Sequence, residues 1–364
     1  MQPSLRFAAI VSLLIYTCLP VSAYELPWVV VSPDQKGFVL EGRDEPFAPW
    51  GFNYDHDAAG RLIEDYWNSE WNKIEQDFRS MKGLGANVVR IHLQLNQLME
   101  SPEVPNAENL SRLKELVRLA EDVGLYLDVT GLGCYHKADV PPWYDALDEP
   151  GRWDVQVRFW EAIAETCAES PAIFCYDLMN EPVVPGGKRN DGDWLGPPFA
   201  GKHFVQFITI DQADRPRPDV ARAWVKRLTT ALRAKDPRHL ITVGLVDWSL
   251  DRPGLTSGFV PEVFVDDLDF LAVHLYPETG KLEDAIKTLN GFSLGKPLII
   301  EETFPLSCSI AEFEGFAKQA EPHAAGCIGF YWGQSPEELR GGKTIADAIT
   351  LQWLEFFEAK GKWK

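Results

Sequence analysis

The chain has 364 residues, of which 45% are hydrophobic, and a formal net charge of −19. That apolar share is ample for a large buried core, and the acidity excludes nucleic acid or an anionic membrane surface as a partner held by charge. It is compatible with a neutral partner, without naming one.

Residues 1–23 read as an export signal: Arg6 is the positive start, FAAIVSLLIYTCL the apolar stretch and Val21-Ser22-Ala23 a small-residue cleavage site. The apolar run is short for a bilayer span and no stop-transfer pattern follows. A secreted or periplasmic protein is expected, with residues 24–364 as the mature domain and no membrane segment after cleavage; a retained anchor is the plainer alternative. Five cysteines lie beyond the signal, Cys134, Cys167, Cys175, Cys308 and Cys327. An odd number cannot all pair, and the spacings are neither zinc-like nor those of a small disulfide scaffold.

From Pro46 onward, strand-like and helix-like segments alternate. PFAPWGFNYD is the first strand candidate; Trp71, Ile74, Phe78, Met81 and Leu84 then share one helical face, ended by Gly85. NVVRIHL follows, then a helix marked by Leu110, Leu113, Leu116, Val117 and Ala120 and closed by Gly124, then LYLDVT. A helix near 153–168 leads to AIFCYDLM, and one near 218–234 to HLITVGL and DFLAVHLY. Short helices near 281–290 and 310–320 flank PLIIEE; GCIGFYW and a last helix near 345–359 complete the series. Near-continuous apolar strands imply burial on both faces, hence a parallel sheet. Eight such units, the fifth with only a faint helix, predict a single (β/α)8 TIM barrel; an open doubly wound sheet is the alternative, but no Gly-rich nucleotide turn accompanies it.

Segments after the strands are long and those before them short, which places the site on the loops at the strand ends. The longest excursion, 183–216, is rich in Pro and Gly yet holds Trp194, Phe199, Phe204 and Phe207. It is expected to wall the side of the site where a leaving group departs. Trp67, Trp143, Tyr144 and Trp194 are further candidates for outer contacts.

Two strand-like runs end on carboxylates: IFCYDLM on Asn180-Glu181-Pro182, and PLII on Glu301-Glu302. An ionisable group at the mouth of a buried strand is costly unless it has a task, and two such groups suit glycosidic cleavage. Strand alternation lets only one of Glu301 and Glu302 face the barrel axis. Arg90, in the middle of VVRIHL, needs a buried partner.

FNYDHD, NVVRIHL, YDLMNEP, AVHLYP, KPLIIEE and GFYWG resemble, in order and spacing, the strand ends of glycoside hydrolase family 5, the cellulase-type members of clan A, across most of the mature chain. The resemblance implies a retaining β-glycoside hydrolase with Glu181 as acid/base and the second glutamate, Glu302, as nucleophile. Asn180 would bind a sugar 2-hydroxyl, and Arg90, His274 and Tyr276 would flank the nucleophile. Trp332 would be a platform under the sugar. Glu301 stands where the family commonly has Gly, and Thr303-Phe304-Pro305 replaces its aromatic-glycine pair. His136 falls several residues past the family's histidine near the third strand; its role, like that of His92, is open. Asp55-His56-Asp57 reads as a substrate-lining loop. The substrate would be a β-linked oligo- or polysaccharide, glucan or mannan, with GFVLEGRDEPFAPWGFNYD resembling the mannanase branch. No metal or organic cofactor is implied, and a monomer is expected. A non-catalytic carbohydrate-binding barrel and a metal-dependent barrel hydrolase are the alternatives.

Overall fold

The computed structural model describes residues 26–43, 45–184 and 194–364. The expected export signal and residues 185–193 of the long excursion lie outside the described residues.

Three short strands, β1 (Val29–Val31), β2 (Phe38–Leu40) and β3 (Glu45–Phe47), pair antiparallel ahead of the main sheet. That sheet holds β4 (Trp50–Tyr54), β5 (Val88–Gln94), β6 (Tyr126–Gly133), β7 (Ile173–Asp177), β8 (Leu240–Thr242), β9 (Gly244–Val246), β10 (Leu271–His274), β11 (Leu298–Glu302) and β12 (Gly326–Gly329). Its neighbours are all parallel, and β12 returns to pair with β4. β8 pairs with β7, and β9 with β10. They are two pieces of the predicted strand HLITVGL, so the architecture is the expected (β/α)8 barrel with its fifth strand broken at Val243.

The break has a cause in side-chain chemistry. Gly244 gives its N–H to the Asp177 carboxylate at 2.7 Å, and its carbonyl accepts from Glu181 N at 3.2 Å. The fifth unit also lacks an α-helix: 3-10 turns at Asp247–Ser249, Pro261–Val263 and Val265–Asp267 take its place.

Elsewhere the helices follow the apolar periodicity. Ala107–Val123 begins where the Asn106 side chain accepts from Asn109 N, buries Leu113, Leu116, Val117 and Ala120 on one face, and stops at Gly124, whose φ of 78° suits a residue without Cβ. Strands β5 and β6 are buried along their whole length, as strands covered on both faces must be.

Phe38 of β2 meets Phe174 and Phe270 edge-on at 5.1 and 5.2 Å, and Phe47 of β3 meets Tyr126 at 5.0 Å. Those partners sit at or beside the starting ends of barrel strands, so the antiparallel sheet closes the barrel floor and leaves the opposite end as the mouth. All five described cysteines are free thiols, four of them buried. No helix among the described residues is long and apolar enough to cross a membrane.

Candidate active site

Arg90 lies at the centre of β5 and is fully buried. Its Nη1 donates to Glu302 Oε1 at 2.5 Å and to Asn53 Oδ1 at 2.8 Å; its Nη2 donates to Asp177 Oδ2 at 2.7 Å and to Asn180 Oδ1 at 3.1 Å. Burial works against the guanidinium charge, but Glu301, Asp177, Glu302 and Asp128 outweigh it and keep Arg90 charged. One cation thus ties the ends of four strands into a single unit.

Glu181 follows β7 with φ at 46°, a left-handed conformation that a residue with a Cβ adopts at a cost of about 1 kcal/mol or more. Its Oε1 lies 2.8 Å from His274 Nδ1, and the other ring nitrogen, Nε2, is 3.2 Å from Glu301 Oε2. Tyr276 donates to Glu302 Oε2 at 2.7 Å. Burial and the charge of Glu181 raise the Glu302 carboxyl above its usual range, while His274, Arg90 and the Tyr276 hydroxyl oppose them.

Glu301 and Glu302 do not separate to opposite faces as strict alternation requires. Both reach Arg90, Glu301 Oε2 at 3.6 Å and Glu302 Oε1 at 2.5 Å. The ladder slips here: Val273 pairs with Ile300, but His274 pairs with Glu302. Glu302 therefore stands past the irregularity, at the strand end, and retains 5% exposure, whereas Glu301 has none. Of the two, only Glu302 can meet a substrate.

Trp332 is not a platform. Its side chain is fully buried and packs on Phe52 at 5.5 Å between ring centroids. The half-buried aromatics beside it are Phe330 and Tyr331, the latter stacked on His56 at 4.2 Å. After Gly329 the chain has left the strand, so alternation no longer decides which ring of Phe-Tyr-Trp faces the mouth. Trp67, Tyr144 and Trp194 are likewise buried; Trp143 is half-buried.

The described part of the long excursion lies along β6 and β7. Phe204 O accepts from Asn180 Nδ2 at 2.8 Å, His203 N donates to Tyr135 O at 2.8 Å, and Gln206 bonds the Leu132 carbonyl. Beside Glu181 a cleft of about 870 Å³ opens instead between the turns after the fifth and sixth strands, bounded by Trp248, Arg252, Tyr276 and Lys281 and by no described residue of the excursion.

Three contributors, Asp177, Asn53 and Tyr135, escape motif reading. Asp177 is a charge inside an apolar strand, the same signal that marks Arg90. Asn53 donates from Nδ2 to the carbonyls of Glu301 and Gly329 at 3.0 and 3.3 Å, so its Oδ1 is an acceptor. His92 Nε2, 3.0 Å away, must then carry the proton, and its Nδ1 accepts from Tyr135, whose hydroxyl is 2.6 Å away. Burial and Arg90 hold His92 well below the ordinary histidine range, which suits that neutral ring. Tyr135 lies in GLGCYHK beside His136, which is half-buried.

One oxygen each of Glu181 and Glu302 and one nitrogen of His274 lie within 4.8 Å of one another, a spacing that would suit a cation. The donor chemistry does not. A histidine ligand must offer a lone pair. Burial disfavours charge on this ring, yet Glu302, Glu181 and Glu301 push it up to about 10, and each ring nitrogen faces a carboxylate oxygen, an arrangement that favours a proton on both over a free lone pair.

A parallel barrel whose mouth gathers two carboxyls around an arginine, a histidine and a tyrosine has the make-up of a glycosidase-type barrel. The profile of the cellulase family, glycosyl hydrolase family 5, matches residues 46–303, and the chain belongs to that family. It is 22% identical over 285 residues to mannan endo-1,4-beta-mannosidase A of Emericella nidulans, covering 72% of this chain and 66% of the relative. It is 25% identical to the enzyme of the same name from Podospora anserina, covering 67% and 64%. The match thus spans just under two thirds of the length of these relatives. Among solved structures, the endo-1,4-beta-mannanase from Rhizomucor miehei superposes with a TM-score of 0.60 at 20% identity, over 92% of this chain and 99% of that one.

Proposed function

We propose that the protein is an exported, retaining β-glycoside hydrolase acting on β-1,4-linked mannan. The observation that carries this reading is the approach of Glu181 and Glu302, with one carboxylate oxygen of each within 4.8 Å of the other. Retention needs carboxyl groups about 5–5.5 Å apart, and inversion leaves room for a water at about 6.5–9.5 Å. Glu302, steadied by Arg90 and Tyr276, attacks the anomeric carbon as Glu181 protonates the departing oxygen. A glycosyl ester on Glu302 results. Glu181, now anionic, takes a proton from water, which releases the sugar with its original configuration. The mannan specificity is supported by the names of the relatives, and export by the amino-terminal segment.

The test is turnover of purified protein on β-mannan, glucomannan, β-glucan and aryl β-glycosides, with products followed by chromatography and anomeric NMR. β-Configured mannosides as first products are expected. Products of inverted configuration would remove the double displacement; turnover of glucan alone would remove the mannan assignment. Glu302→Ala is expected to abolish turnover. Glu181→Ala should lose most on substrates with poor leaving groups and be partly restored by azide, which needs no general base. Equal, modest losses in both variants would reject the two roles. The metal-dependent alternative predicts loss of activity on chelation.

A further inference from the structure

We propose that Glu301 is a positioning residue for the acid/base: through the His274 ring it keeps an N–H directed at Glu181 Oε1, which leaves Glu181 Oε2 as the oxygen that carries the proton to be delivered. This rests on the role given to Glu181 above.

The ring is clamped between two carboxyls, with Glu301 Oε2 at 3.2 Å on one side and Glu181 Oε1 at 2.8 Å on the other. The ring is 3% exposed. The clamp requires a missing Cβ. A methyl group on Gly244 would lie 3.0 Å from His274 Nε2 and 3.3 Å from Glu301 Oε2, and so would crowd the gap between them. The broken fifth strand and the clamp therefore share one glycine.

Glu301 is the member of this chain with no access to substrate. Burial disfavours its charge, but Arg90 and His274 outweigh that and hold it below the usual carboxylate range. Its Oε1 and both oxygens of Asp128 find no N–H or O–H donor among the described residues. Burial and the charge of Glu301 push Asp128 well up. Two carboxyls side by side cannot both ionise, so Asp128 holds a proton and supplies the donor that Glu301 lacks. A fixed negative charge thus stands behind the ring.

Its effect on Glu181 follows from counting protons. The charged and titratable groups that face the ring are Glu181 at the end of β7, Glu301 and Glu302 from β11, with Glu302 Oε2 3.5 Å from Nδ1, and Arg90 and His92 from β5. With Glu301 ionised, Nε2 keeps its proton, and the cationic ring presents Nδ1–H to Glu181. A neutral ring protonated only at Nε2 would instead offer a lone pair at Nδ1. The acid form of Glu181 would then give its proton to that nitrogen and withhold it from the leaving group.

Two measurements test this. In the full-length native protein, imidazole nitrogen NMR is expected to find His274 doubly protonated from about pH 5 to about pH 8. A ring that titrates inside that window overturns the proposal. In Glu301→Gln, kcat/KM for a mannan oligosaccharide should fall about tenfold or more beyond the fall for an activated aryl β-mannoside, which needs little acid assistance. The alkaline limb of the profile should move down by about one pH unit, because the imidazolium loses a carboxylate partner. Glu301→Asp, which keeps the charge, should hold the limb nearer its native position. Equal losses on both substrates with an unmoved limb would reduce Glu301 to packing and overturn the proposal. If the native protein turns over neither substrate, the functional reading fails, and the NMR measurement still decides the state of the ring.

Discussion

Tyr276 donates to Glu302 Oε2 at 2.7 Å while Arg90 holds Oε1 at 2.5 Å, so each oxygen of one carboxylate has its own donor. The two donors differ in kind: one is a neutral hydroxyl at the half-buried rim, the other a buried cation. Tyr276→Phe removes the first and leaves the ion pair. A hydrogen bond to a charged group contributes about 1.5–3 kcal/mol, so kcat is expected to fall by about 10- to 100-fold. The melting temperature should hardly change, and steady-state kinetics beside a thermal melt check both.

Arg90→Met should act on stability first. It leaves Asp177, Glu301 and Glu302 buried without their shared cation, a loss of about 3–5 kcal/mol for a broken buried pair. Without Arg90 these carboxyls hold protons more tightly when folded than when unfolded. Stability is then lost as pH rises through the carboxylate range. The deficit against the native protein, read by denaturant titration, should be smaller at about pH 5 than at about pH 8.

Trp332 and Tyr331 should part company. Trp332 is fully buried against Phe52, so Trp332→Ala is expected to cost about 3–5 kcal/mol of stability. Tyr331 is half-buried and stacked on His56 at the mouth, so Tyr331→Ala should chiefly raise KM and leave the fold intact. Melting curves and KM values for the pair decide this; the reverse assignment would restore Trp332 as the sugar platform.

Glu64 offers a test away from the chemistry. Its Oε1 accepts from Gln94 N at 2.7 Å, Oε2 has no partner among the described residues, and burial pushes the carboxyl up to about 8 from 4.5. The folded chain keeps this proton where the unfolded chain has released it, so stability falls as pH rises from 4.5 toward about 8. Glu64→Gln should raise the melting temperature at neutral pH by about 2 °C or more and leave it little changed at about pH 4. No gain at neutral pH would show that the charge is accommodated.

Much of this was legible from the chain. Parallel barrel strands are apolar on both faces, so NVVRIHL and LYLDVT announce themselves, and a charge within such a run, as at Arg90, must find a partner. Glu181 and the pair Glu301-Glu302 stand out by the same logic, whereas the choice of Glu302 within the pair comes from the family resemblance. What stayed hidden depends on contacts between distant segments. The break at Val243 follows from the Asp177 side chain taking the Gly244 N–H, 67 residues away in sequence. The shared surroundings of Glu301 and Glu302 follow from a slip against β10 that neither strand displays by itself. The platform reading of Trp332 rests on resemblance to the family's strand ends, and because the strand stops at Gly329 the resemblance does not decide which ring of Phe-Tyr-Trp faces the mouth.

The sheet that closes the barrel floor bears on the order of assembly. Phe38 needs Phe174 and Phe270 in place before it has a surface to meet, and those residues come from strands far along the chain. Closing loops of that length costs entropy, and it is recovered only when the distant strands have themselves paired. The hairpin around Phe38 and Phe47 comes early in the chain, while the rings that Phe38 packs on come late. A substitution such as Phe38→Ser, which removes that aromatic contact with two distant strands, is expected to lower the yield of folded protein without touching a group at the mouth.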